Sequence, residues 1–464
     1  MRILIYTGKG GVGKTSPAAA TGLKLASQGC RTLVMSTDAA HSLSDSFGIP
    51  LGSEPVLVAE GLWAQEIDSL RRILIYPGKG GLGKTSTAAA TGLKLASQGC
   101  RTLVMSTDAA HSLSDSFGIP LGSEPVLVAE GLWAQEIDSL RETEKRWGSV
   151  QSWLQGMLQW AKLSDITTEE MLVFPGMEEL FSLLRIKEHA ESGRYDCLIV
   201  DCAPTGETIR LLSYPQLLGW WVDKIFPYER RLVKLVRPVA KAVTRGNLEL
   251  PSDQVMDSIE AFVRELEELQ ELLLNPETTT VRIVMNPEKM VVAEARRTFT
   301  YLNLFGFRTD AVIVNRVLPE EAGTGYWAAW REVHGKYEEE IRSCFAPLPI
   351  LRIPLMPSEV HGLEMLRRVG ETAFAEHDPG EVLYHGNIQE LRSENGERLL
   401  DITLPFAAKE DLQLSQKGDE LTVQAGPYKR KVLLPRMLLG CPIAGARFAD
   451  GKLSIRFGER TAAQ

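Results

Sequence analysis

Two lysines and a threonine set among glycines are the residues of this chain best suited to chemistry. They stand in the run Gly78-Lys79-Gly80-Gly81-Leu82-Gly83-Lys84-Thr85-Ser86, and a near copy occupies Gly8–Ser16. Glycines at these spacings let backbone N–H groups turn toward phosphate oxygens, and a helix beginning behind them adds the positive end of its dipole. Lys84 is placed to reach the terminal phosphates, and Thr85 to offer its hydroxyl to Mg²⁺. Such a loop works only between a strand and a helix. Ile73–Tyr76 reads as the strand and Ala88–Ser97 as the helix; Ile3–Tyr6 and Ala18–Ser27 repeat them. The expected ligands are therefore a nucleoside triphosphate and Mg²⁺.

Two carboxylates follow at strand ends. Arg101–Ser106 is a buried-strand pattern running into Thr107-Asp108, so Asp108 lies where a doubly wound sheet binds its ligand. It either orients the attacking water or caps the next helix, a position aspartate also favours. His111 in the same loop reads as a packing residue. Tyr195–Asp201 is a third strand, and an acidic residue ending it can hold the water shell of Mg²⁺. The Cys202-Ala203-Pro204-Thr205-Gly206 turn beyond it is suited to sense the γ-phosphate. Two further strands, Thr280–Met285 and Ala311–Val314, end in Asn286 and Asn315. Asn315 reads equally as a base-recognising amide or a turn residue, whereas Asn286, before a proline, reads as a turn.

These residues need a sheet, and the chain supplies its opening twice. Residues 2–71 recur as 72–141 with three changes, Thr7/Pro77, Val12/Leu82 and Pro17/Thr87. Two near-identical units are too few for a solenoid. One sheet accepts one copy, and the second continues directly into the later strands. The first, residues 1–71, is expected to be a redundant duplicate. Its equivalents Gly8, Lys9, Gly10, Gly11, Gly13, Lys14, Thr15, Ser16 and Asp38 are the less used set.

Composition narrows the remaining classes. The chain has 464 residues and a net charge of −9, which argues against nucleic acid as its main partner. No apolar run is long enough to span a bilayer. The loop lies too close to Met1 for a removable leader, and six cysteines without CxxC spacing suit reduced thiols. A cytoplasmic location is expected, with room for peripheral association with a membrane. About 142–190 and 214–275 read as a helical subdomain rich in Trp, Leu and Met, including an amphipathic helix over Ser252–Leu274 that Pro276 ends. Residues 381–460 change to short alternating runs parted by Lys417-Gly418-Asp419 and Asp450-Gly451, a small β-sandwich. The fold class expected is α/β, a doubly wound and mostly parallel P-loop sheet over 72–377 with a helical insertion, plus the C-terminal all-β sandwich.

Read together, Lys79–Thr85, Ser106–Asp115, Asp201–Thr208, Val314–Pro319 and Ile353–Gly362 resemble the ArsA-type, arsenite-stimulated ATPases and the related ATPases that target tail-anchored membrane proteins. The last segment of the chain is similar to the alpha-crystallin-type domain of some bacterial members. The resemblance implies a homodimeric ATPase in which Lys79 contacts nucleotide across the interface and Asp108 activates water. Asp201 would organise the magnesium shell, and Asn315 with Pro354 would line the adenine. It also implies a membrane-protein partner or an apolar-helix client. Ala109, Cys202 and Glu207 depart from the usual residues of the family, as does the lack of both the zinc-binding CxxC and the metalloid-binding thiols. An anion or metalloid pump, a handler of apolar helices, and a positioning or maturation ATPase of the wider group are the outputs to separate.

Overall fold

The structure, a computed structural model, describes residues 15–36, 42–49, 55–66, 72–107, 112–138, 177–202, 253–319, 325–394, 397–418, 420–434 and 436–458. The first copy builds a unit of its own. Helix α1 (Thr15–Ser27) leads to β1 (Thr32–Ser36), α2 (Ser42–Phe47), β2 (Val56–Ala59) and β3 (Leu62–Glu66), and the strands form a sheet in the order β1-β3-β2. Pro17 sits in the first turn of α1, where a helix least needs the N–H that proline lacks. Expected to be redundant, this copy nonetheless keeps its own small core of Ala19, Val34, Leu43, Leu62 and Ala64. Among the described residues its strands pair only with one another.

The second copy enters the large sheet. It contributes β4 (Arg72–Tyr76), α3 (Lys84–Ser97), β5 (Thr102–Ser106), α4 (Ser112–Phe117), β6 (Val126–Ala129) and β7 (Leu132–Glu136). The chain then adds α5 (Met177–Glu191), β8 (Cys197–Asp201), α6 (Asp253–Leu274), β9 (Thr279–Met285), α7 (Lys289–Phe305), β10 (Thr309–Val317), α8 (Tyr326–Phe345), β11 (Ile350–Pro354) and α9 (Gly362–Ala373). The strand order is β11-β10-β9-β4-β8-β5-β7-β6, parallel throughout except for β6 against β7. Strands β4, β5, β8 and β9 are almost wholly buried, because helices cover both faces of a parallel sheet. Helix α6 ends before Pro276, as its periodicity predicts. The other helical segments expected in 142–176 and 214–252 lie outside the described residues.

The C-terminal segment folds into two antiparallel sheets. One has the order β12-β13-β18-β17, from Gln389–Glu394, Glu397–Thr403, Lys452–Phe457 and Ile443–Ala449; the other is β14-β15-β16, from Leu412–Lys417, Glu420–Ala425 and Tyr428–Leu433. Asp450 and Gly451, both at positive φ, make the predicted turn between β17 and β18. This unit rests on α7. Tyr301 meets Tyr428 with ring centroids 3.9 Å apart, Phe299 packs on Phe406, and Thr300 Oγ1 donates to Pro405 O. Arg430, buried and with its pKa lowered to about 10 by that burial, donates to Leu304 O at the C-terminal end of α7.

The connection between the two parts is strapped beneath the large sheet. Arg282 in β9 and Asp310 in β10 form a fully buried pair, with Nε donating to Oδ1 at 3.2 Å. Arg282 also donates to Pro379 O at 2.9 Å and to Glu381 O at 3.0 Å, and Arg72 Nε donates to Gly380 O at 2.8 Å.

A second buried group gives the fold a pH dependence. His189 on α5 pairs its Nε2 with Gln135 Oε1 of β7 at 2.7 Å, and burial, helped by Arg185 and Arg194, lowers its pKa to about 4. The unfolded chain binds this proton near pH 6.5, so stability is full above that pH and falls as pH drops toward 4. The expected loss is about 2 kcal/mol. Urea denaturation at pH 7 and pH 4.5 checks it: the wild type should lose that much more than His189→Asn, and equal losses would exclude His189 as the source.

Candidate functional site

The chemistry-bearing residues meet because β4 and β8 are neighbours. Their register pairs Tyr76 with Asp201, so the loop after β4 and the carboxylate ending β8 leave the sheet side by side. Gly81 and Gly83 adopt positive φ of 80° and 84°, which side chains rarely tolerate. A Cβ on Gly83 would lie 2.2 Å from Asn315 Nδ2, and one on Gly78 would lie 2.7 Å from Val284 O. The glycines are thus demanded by both conformation and space.

Lys84 opens α3 with its ammonium turned inward, only 5% exposed. Its Nζ donates to Cys202 O at 2.8 Å and lies 3.9 Å from Asp201 Oδ1. Thr85 Oγ1 donates to Asp201 Oδ2 at 2.5 Å and shares a hydrogen bond with Ser112 Oγ at 3.1 Å. Asp201 is fully buried beneath them. Burial, then the neighbouring Asp201, pushes the Cys202 thiol up to about 12, so it stays protonated and offers only its carbonyl. A hydroxyl and a carboxylate on adjoining elements form a hard oxygen set of the kind that suits Mg²⁺. Among the described residues, no cluster of three His, Cys, Asp or Glu side chains competes for a metal.

The structure distributes the other predicted residues unevenly. Lys79, Gly80 and Gly81 are exposed at the loop tip, and Lys79 lines a narrow crevice against Val291, Glu294 and Thr298 of α7. Ser86 follows in α3. Asn315 does not stand free at its strand end: Nδ2 donates to Leu82 O at 2.8 Å and Oδ1 accepts Arg316 N–H at 2.9 Å, tying β10 to the loop. Asn286 makes the predicted turn, its carbonyl accepting from Glu288 N–H at 2.8 Å. Pro354 ends β11 opposite Val317. Beyond these strand ends, Arg316, Trp327, Trp330 and Leu355 line an open cleft of about 310 Å³. Asp108, Asp38 and the loop 8–14 lie outside the described residues; Thr15 and Ser16 begin α1.

Two positioning residues escaped the sequence reading. Glu136, at the end of β7, accepts the N–H groups of Leu113 at 2.9 Å and Ser114 at 2.8 Å, and Ser114 Oγ at 2.7 Å. This buried carboxylate caps α4 and so fixes the element that follows the Asp108 loop. His361 Nδ1 bonds to Asp115 O at 2.7 Å, joining α4 to the N-terminus of α9. The only signal for Glu136 was an acidic residue ending an apolar strand.

The chain matches the family model described as anion-transporting ATPase over residues 1–73 and 70–374, and an HSP20-like domain found in ArsA over 395–457. A protein from Chlorobaculum tepidum that carries the name of an arsenical pump-driving ATPase is 39% identical over 83% of this chain and 96% of its own length. One of similar name from Aquifex aeolicus is 38% identical over 79% of this chain and 95% of its own. A protein named ATPase GET3 from Chaetomium globosum is 30% identical over 65% of this chain and 90% of its own.

Proposed function

Because the chain belongs to the ArsA family of anion-transporting ATPases and is itself an ATPase, we propose that it works as a Mg-ATP-driven dimeric switch that handles apolar membrane-protein segments. The observation that carries the ATPase centre is the meeting of Lys84, Thr85 and Asp201 at the ends of β4 and β8. Lys84 holds positive charge where the terminal phosphates sit, and the glycine loop presents its N–H groups to them. Mg²⁺, when bound, neutralises developing phosphate charge, with Thr85 and Asp201 as its protein partners. Asp108 is assigned to orient water, on the element that Glu136 anchors. Lys79, exposed on the loop, reaches the nucleotide of a second protomer, and Asn315 and Pro354 border the base. The chain acts in the cytoplasm, at the membrane surface where its client requires it.

The output is argued from two features. Cys197, Cys202 and Cys441 are buried and Cys344 accepts from Arg296, an arrangement ill suited to gathering thiolates around a soft metalloid. Helix α6 is strongly amphipathic with its apolar face already buried in the main core, whereas Trp327, Trp330 and Leu355 expose apolar surface of the type that lies against an apolar helix. Phosphate release should therefore rise several-fold with a detergent-solubilised apolar helix and stay unchanged with arsenite. Stimulation by arsenite alone would replace this reading with the pump-driving one. No response to either would favour a positioning or maturation ATPase.

A further inference from the structure

The chain holds one sequence in two structural settings. Thr32–Ser36 and Thr102–Ser106 share the residues Thr-Leu-Val-Met-Ser, and β1 pairs with β3 in the parallel register that β5 makes with β7. The local bonds repeat: Thr32 N–H donates to Gly61 O at 2.8 Å, and Thr102 N–H to Gly131 O at 2.9 Å. Val34 packs in the small core with residues of α1, as Val104 packs in the core that α3 shares.

The opposite face differs. Leu33 is 46% and Met35 53% exposed, whereas Leu103 and Met105 are fully buried in the core formed with α5, α6 and β8. Leu57 and Leu127 are exposed alike, at 58% and 59%, so the first copy is not merely looser. Strand β5 continues the sheet into β8, with Thr102 opposite Cys197 and Ser106 opposite Asp201; β1 ends its sheet among the described residues.

We infer that the two copies are interchangeable occupants of one place in the large sheet. The face of Leu33 and Met35 with the outer edge of β1 is a docking surface for β8 and the helices over it. Docking there moves the second copy into the setting the first now holds. Both settings of the Thr-Leu-Val-Met-Ser strand and of the strand it pairs with are present, one in each copy, so exchange needs no new fold for them.

The differing residues set the balance. Thr87 is buried and its N–H and Oγ1 donate to Gly83 O at 3.0 and 2.7 Å; Pro17 is exposed where it stands, so the N–H it lacks costs little there but would leave a buried carbonyl short of a donor in the large sheet. Leu82 is buried in the main core, where Val12 would be one methylene short. Pro77 contributes a carbonyl to Val284 N–H, which Thr7 offers equally. A hydrogen bond and a methylene together favour the second copy roughly twentyfold. Placing the first copy in the sheet lengthens the link to α5 from about 40 to about 110 residues, worth only about fourfold more. The second copy thus prevails by roughly two orders of magnitude.

Hydrogen exchange read by mass spectrometry on the full-length chain tests this without reference to ATP turnover. Ser97→Ala, at an exposed position, gives the otherwise identical peptides over Thr32–Ser36 and Thr102–Ser106 different masses. In the parent chain Thr102–Ser106 should exchange the more slowly. Trading all three residues between copies (Thr7→Pro, Val12→Leu, Pro17→Thr, Pro77→Thr, Leu82→Val, Thr87→Pro) should transfer the slower exchange to Thr32–Ser36. Pro17→Thr alone, which alters nothing in the second copy, should narrow the difference about fivefold and supplies the answer if the full trade fails to fold. Slow exchange that stays at Thr102–Ser106, undiminished by Pro17→Thr, would overturn the inference. So would a transfer that appears only as protein concentration rises, which would mark exchange between chains.

Discussion

Replacing Lys84 with alanine is expected to lower ATP turnover by at least 100-fold, while Lys14→Ala changes it by less than twofold. The asymmetry follows from connectivity: β4, preceding Lys84, lies beside β8, and the ammonium is seated 2.8 Å from Cys202 O and 3.9 Å from Asp201 Oδ1. Losing one preorganised charge from a phosphate-binding site typically costs two to three powers of ten. Lys84 also offsets the buried carboxylate of Asp201, so the variant's fold must be verified by circular dichroism before its rate is interpreted. Phosphate release at saturating Mg-ATP is the measurement. Equal losses from the two substitutions would remove the second copy from the assignment. A residue of about one part in a hundred in Lys84→Ala, abolished by adding Lys14→Ala, is the further result that interchangeable copies require.

Asp201→Asn is the second large effect, expected to lower turnover by 10²–10³ while nucleotide binding persists. Asparagine keeps the shape and can still accept from Thr85 Oγ1, now bonded to Asp201 Oδ2 at 2.5 Å. What it removes is the charge that attracts a divalent cation and balances Lys84. The Mg²⁺ concentration needed for half-maximal turnover should therefore rise at least tenfold, whereas a fluorescent ATP analogue should bind within a few-fold of normal. An aspartate that merely ended a strand would leave both the rate and the Mg²⁺ dependence where they were.

Much of this centre could be read from the chain because its parts are short-range signals. The glycine spacing, the strand before it and the helix after it identify Lys84 and Thr85 locally, and an apolar run ending in Asp201 marks the neighbouring strand. The duplication, too, is plain in the letters, although the second sheet made by β1, β2 and β3 is not. Nothing in the pattern distinguishes a strand that joins seven others from one that joins two. Glu136 escaped because its partners are the backbone amides of Leu113 and Ser114, which leave no side-chain motif. Asn315 was recognisable as a strand-end amide, but its tie to Leu82 O was not, because 233 residues separate the two in the chain. The seat of the β-sandwich on α7 was invisible for a different reason. Phe299, Tyr301 and Tyr428 look like ordinary core residues until two distant segments are brought together.

That seat has a thermodynamic consequence. Leu302, Leu304 and Phe305 of α7 belong to the same continuous core as Ile283 and Val312 of the large sheet and as Leu400, Ile402 and Leu421 of the sandwich. Arg430 completes the end of α7, and the strap at Pro379–Glu381 is bonded beneath β4 and β9. Melting the sandwich would strip apolar cover from α7, and melting α7 would leave the sandwich without its floor. The two are therefore expected to share one unfolding transition rather than two, which would make the sandwich less an appendage than a part of the heat-capacity signature of the ATPase itself.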